Sequence, residues 1–123
     1  MLGEYTGVQD GEMLVRSDPY PVPVLDFRNW TSYIDIGEYE AQGFRYPNAE
    51  VLRHAADGFT VGIRGTEHMD FTDLPLLSPF LGNLLGSGER GAEETMTIVN
   101  SLVLRFFDCY LKGKGTFTAQ EIY

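Results

Sequence analysis

Apolar residues along the chain fall into runs of different period, and each run predicts a different element. Residues 21–27, PVPVLDF, are almost continuously apolar and carry two prolines near their start. A short run of this kind suits a strand covered on both faces, as parallel strands are. Prolines at a strand's start cost the hydrogen-bond ladder least. Residues 59–63, FTVGI, form a second β-rich run that ends at Arg64-Gly65. Over residues 93–111 the period changes. Val99, Leu102, Val103, Phe106 and Tyr110 recur at i, i+3, i+4, i+7 and i+11, one face of an α-helix. Glu93 and Glu94 near its start and Lys112 at its end complement the helix macrodipole, and Gly113 is placed to stop it.

Weaker signals fill the gaps. Pro47 can open a helix over residues 47–56, closed by Asp57-Gly58. A short helix is expected at 79–85, inside a stretch rich in glycine and proline. Residues 1–20 read as loop with a short strand or helix near 13–16. Residues 29–44 are aromatic and acidic without a clean period, and read as loop with one short helical turn. The order strand, loop, helix, strand predicts a right-handed crossover between parallel strands. The expected fold class is therefore α/β: a partial parallel sheet of about two strands with a long C-terminal helix, as one domain over residues 1–123. No internal repeat is present.

Composition narrows the function. Hydrophobic residues at 43% and aromatics at 13% suit a packed core. Nine basic against eighteen acidic residues give a net charge of −9, which argues against nucleic acid and against an anionic membrane surface. No stretch approaches the ~20 apolar residues of a membrane span. The start, MLGEYTGVQDGEM, has neither the basic nor the apolar part of a signal peptide, so a soluble cytoplasmic protein is expected. One cysteine, Cys109, excludes an internal disulfide and is expected to pack as a small apolar residue.

The candidate chemistry centres on His68, on the loop that follows the second strand. A histidine's ordinary pKa of about 6.5 lets it take and return a proton near neutral pH. No metal and no cofactor are expected. His54 and His68 lack metal-ligand spacing, and Glu67, Asp70 and Asp73 lack the order of a calcium loop. Asp70 and Asp73 are expected to cap backbone donors of the turn. Residues 86–91, GSGERG, scan as G-x-G-x-x-G, but no strand precedes them and Glu89 would repel phosphate. Ser87 is not set in a Gly-x-Ser-x-Gly elbow, and no such elbow occurs in the sequence.

The string Ile63-Arg64-Gly65-Thr66-Glu67-His68, followed by Asp70-Phe71-Thr72-Asp73-Leu74, resembles the last-strand histidine loop of α/β-hydrolases. The likeness is to the branch containing platelet-activating-factor acetylhydrolases and related bacterial esterases and lipases. Leu74-Pro75-Leu76-Leu77-Ser78-Pro79, Asn100-Ser101-Leu102 and FFDCYLKG at 106–113 are similar to that branch's C-terminal end. The resemblance covers residues 57–113 and, more loosely, 19–56. It implies that His68 takes a serine's proton and later returns it to the leaving group, with an acid to hold the imidazole. Asp26 lies where many α/β-hydrolases carry that acid, near the end of the preceding strand. Closer relatives carry it one strand earlier, a position at or before Met1, and Asp35 is a third option.

The chain is short for a complete hydrolase sheet. The resemblance therefore implies the C-terminal part of a serine esterase or lipase, inactive alone, with an ester substrate only when an N-terminal part completes it. In such a part, Phe71, Leu74, Leu76, Leu77, Phe80, Leu81, Leu84 and Leu85, and the edge of the first strand, would be uncovered and drive homo-oligomerisation. The competing expectation is a non-catalytic α/β module that binds a partner or self-assembles.

Overall fold

The two apolar runs lie side by side and parallel. In the computed structural model, which describes residues 6–9, 12–15, 19–72, 78–84 and 86–123, β3 (Val24–Asn29) pairs with β4 (Gly58–Ile63). The register runs from Val24 opposite Gly58 to Asn29 opposite Ile63. The prolines precede β3, as their missing N–H requires.

Side chains alternate across a sheet, and here each face meets a different layer. Leu25, Phe27, Phe59, Val61 and Ile63 pack toward the C-terminal helix α4 (Ala92–Tyr110), with Leu102, Phe106 and Phe117 completing the buried core. Phe59, Phe106 and Phe117 meet edge to face, with centroids 4.8 to 6.4 Å apart, a favoured aromatic geometry. The helical period read from the sequence is thus the core-facing side of α4. On the opposite face, Gly58 and Gly62 admit two other helices. A Cβ on Gly62 would lie 2.6 Å from the Tyr33 ring, and one on Gly58 would lie 2.4 Å from Leu52 O. The result is helix, sheet, helix: a small α/β fold in three layers.

Most of residues 29–44 form a helix, not a loop. Helix α1 (Trp30–Ala41) begins directly from β3, because the Asn29 side chain accepts the Ser32 N–H at 2.8 Å and so caps the first turn. No residue of α1 is fully buried, so its apolar positions carry little period to read. Helix α2 (Pro47–His54) opens at Pro47 as expected and stops two residues early, because Gly58 begins β4. Arg53 ties α2 to α1 through Glu40 at 2.6 Å and also pairs with Glu50.

The short strand expected as one option near residues 13–16 is present, and a second strand lies beside it. β1 (Thr6–Gln9) and β2 (Glu12–Val15) pair antiparallel from Thr6 opposite Val15 to Gln9 opposite Glu12. The sequence signal for this hairpin was Asp10-Gly11 between two short runs. The short helix α3 (Pro79–Leu84) matches its expected place. Helix α4 closes at Gly113, whose φ is +65°, with the Gly113 and Lys114 N–H groups donating to Cys109 O and Asp108 O.

The tail beyond α4 returns to the sheet. Gly62 N–H donates to Glu121 O at 2.9 Å, Arg64 N–H to Tyr123 O at 2.9 Å, and Tyr123 N–H to Gly62 O at 3.0 Å. Tyr33 Oη also donates to Glu121 Oε1 at 2.5 Å. The C-terminal end of β4 therefore has a partner on each edge. Among the described residues, β3 pairs with β4 and with no other strand.

Candidate functional site

Beyond Ile63 the chain turns sharply. Gly65 takes φ +71°, and buried Thr66 donates its hydroxyl to Ile63 O at 2.6 Å. Trp30 N–H donates to Thr66 O at 3.0 Å, and Thr31 Oγ1 donates to Glu67 Oε1 at 2.7 Å, so the start of α1 braces the turn. One turn of 3-10 helix follows, His68–Phe71, with Glu67 as its cap. Asp70 Oδ2 accepts the Glu67 N–H at 2.7 Å, and the Glu67 side chain accepts the Asp70 N–H in return. This reciprocal capping box clamps His68 and Met69 between two residues that hold each other. Asp70 is 1% exposed, which fits its expected role as a backbone cap. Asp73 lies outside the described residues.

A second brace comes from a segment that the sequence reading leaves as loop. Gly88 N–H donates to the same Asp70 Oδ2 at 2.8 Å, and Arg90 N–H donates to Gly65 O at 2.8 Å. Gly88 lies so near the turn that a Cβ there would sit 2.2 Å from Gly65 O. The GSGERG string therefore serves by letting one backbone approach another closely. The legible signal was the pair of small residues, not the phosphate-loop spacing. Arg90 adds Nη1–H to Arg64 O at 3.2 Å and pairs with Glu94. Ser87 lines a separate cavity with Trp30 and Thr66.

His68 is exposed at the start of this braced turn. It lines a cavity of about 270 Å³ together with Asp26, Phe27, Arg28 and Asn29 of β3, Ser32 and Ile36 of α1, and Phe71. The two residues singled out from the sequence, His68 and Asp26, thus border one cavity. They are not bonded to each other. β3 runs on to Asn29, so Asp26 lies mid-strand opposite Thr60. Its Oδ2 accepts Arg28 Nε–H at 2.7 Å, and buried Arg28 stacks over the Tyr46 ring at 5.6 Å. Among the described residues, no hydrogen bond reaches the His68 ring.

Asp35 is exposed on α1 and borders a different, apolar depression with Tyr39 and Tyr46. His54 donates from Nδ1 to Glu50 O at 2.8 Å within α2. Cys109 is half-buried against the core. Phe80 and Leu84 are exposed. Among the described residues, no three His, Cys, Asp or Glu side chains converge as a metal site. None of the described helices is long and apolar enough to cross a membrane.

Away from the site, two tyrosines are shifted upward. Burial and a hydrogen bond to Asp57 at 2.9 Å push the Tyr110 hydroxyl up to about 12. The hydrogen bond to Glu121 raises Tyr33.

No protein-family model, curated protein or solved structure matches the chain. The site is therefore read from its chemistry: an exposed imidazole on a doubly braced turn, just beyond the carboxyl end of a parallel strand. Ligands of open α/β sheets bind at that end.

Proposed function

We propose that the chain is the histidine-bearing C-terminal part of a serine ester hydrolase, with His68 as general base and then general acid. The likeness of residues 57–113 to the acetylhydrolase-like branch motivates the reading. The observation that carries it is the placement of His68 after β4, exposed, capped through Glu67 and Asp70, and bordering a cavity. A rigid scaffold that presents one mobile proton carrier is what general base catalysis needs.

In the completed enzyme, a serine hydroxyl from outside these 123 residues attacks the ester carbonyl while His68 takes its proton. The carbonyl oxygen becomes an oxyanion held by backbone N–H groups. The imidazolium then protonates the departing alkoxide, leaving an acyl-serine. Water, deprotonated by His68, cleaves that ester, and the proton returns to the serine. Asp26 is already engaged by Arg28, so the acid that orients the imidazole arrives with the serine-bearing part.

The test uses the purified chain, a segment encoded upstream that carries strand, Gly-x-Ser-x-Gly and helix, and a p-nitrophenyl ester. The chain alone should not turn over. The mixture should, and His68→Ala should lower its rate on the order of 10²–10⁴-fold. An inactive mixture, or turnover indifferent to His68→Ala, refutes the proposal.

A further inference from the structure

Arg28 is buried but only partly bonded. Its side chain is 9% exposed, and Asp26 Oδ2 takes its Nε–H at 2.7 Å. A guanidinium carries five N–H donors, and among the described residues no acceptor is bonded to Nη1 or Nη2. A buried cation with idle donors is costly unless something answers them. Arg28 borders two cavities. One is the cavity of His68. The other, of about 450 Å³, lies on the helix-covered face of the sheet, with Tyr33 and Glu40 of α1, Arg53 of α2, Thr60 of β4 and Glu121 of the tail around it. Arg28 is the one side chain common to both.

The charges around this larger cavity sort its ligands. Arg28 and Arg53 are balanced by Glu40 and Glu121. Each carboxylate is bonded through one oxygen: Glu40 Oε1 accepts from Arg53 Nη2 at 2.6 Å, and Glu121 Oε1 accepts from Tyr33 Oη at 2.5 Å. Among the described residues, no donor is bonded to the Oε2 atom of either. A simple anion would answer Arg28 but meet two carboxylates on the same walls, in a chain of net charge −9. A simple cation would meet two guanidinium groups. A molecule that carries both charges meets the complement of each. Its carboxylate fits the planar fork of Arg28 Nη1 and Nη2, and its ammonium fits the remaining oxygens of Glu40 and Glu121. Ala49 and Leu52 add an apolar wall for a side chain.

We propose that the cavity between Arg28, Glu40 and Glu121 binds a small zwitterion, a free amino acid, with its carboxylate on Arg28 and its ammonium on the two glutamates. The inference stands apart from the hydrolase reading, because His68 does not border this cavity and binding requires neither ester nor serine.

Thermal melts of the full chain with each standard amino acid at millimolar concentration find the probe, and calorimetric titration then measures it. At least one amino acid should raise the melting temperature and titrate to one site. Its amide, which lacks the carboxylate, and the matching acid without the amino group should each bind about tenfold more weakly or worse. Arg28→Lys keeps the charge but loses the fork, and should weaken binding by about tenfold or more. Arg28 is buried, so Glu121→Gln supplies a second variant at an exposed position. It removes one charge, leaves the backbone bonds of the tail in place, and should weaken binding by about tenfold. No response to any amino acid, equal binding of the amide or of the acid without its amino group, or wild-type affinity in Glu121→Gln overturns the proposal.

Discussion

Asp70 accepts the N–H of Gly88 through the same carboxylate oxygen that caps Glu67, joining points eighteen residues apart in the chain. One buried side chain thereby sets both the shape of the histidine turn and the path of the segment leading into α4. Asp70→Ala leaves two half-buried amide donors without their acceptor and is expected to cost about 1–3 kcal/mol of stability, read by urea denaturation. Asp70→Asn keeps one oxygen acceptor and should cost about 1 kcal/mol.

Gly88→Ala tests the close approach on the other side of that bond. Its methyl would press on the Gly65 backbone, 2.2 Å from the carbonyl oxygen, and the expected loss is about 1–3 kcal/mol. Gly91→Ala is the control, since nothing lies within 4 Å of a Cβ there. A thermal melt should separate the two. Equal effects would remove the close-packing argument.

Helix α4 offers a contrast within one element. Leu102, 2% exposed, should cost about 2–5 kcal/mol as Leu102→Ala, through lost burial and the cavity left behind. Leu104 is 59% exposed, and Leu104→Ala should stay within about 0.5 kcal/mol. Chemical denaturation of both variants checks the direction of the helix's buried face.

Stability should also fall in alkaline solution. The Tyr110 hydroxyl is raised from 10.0 to about 12 in the folded protein, so the folded state holds its proton more tightly than the unfolded state. Its contribution is complete below pH 10 and is lost as pH climbs from 10 toward 12. Tyr33, raised by its bond to Glu121, adds to the alkaline loss. Melting temperature followed from about pH 9 to 12 should therefore decline less steeply in Tyr110→Phe, and less again in Tyr110→Phe with Tyr33→Phe.

The elements legible in the sequence were those whose burial writes a period. α4 buries one stripe and exposes the other, so Leu102 and Phe106 announce it. β3 and β4 are sandwiched, so their apolar runs stand out. α1 escaped because its existence rests on one cap, Asn29 to Ser32, and on partly exposed contacts. The site divides in the same way. His68 was visible from the strand before it and the turn around it. Its brace through Gly88 and Arg90 was not, because close backbone approach leaves only the absence of a side chain as its mark. The bond from Asp26 to Arg28 was open to inspection as an i, i+2 charge pair, once both residues are placed on one strand.

Tyr123 gives the tail a practical consequence. Its N–H and C=O both engage the last turn of β4, with Gly62 and Arg64 as partners. Changes that pull residues 121–123 away from Gly62 and Arg64 would unzip those bonds and bare β4's flank to passing chains.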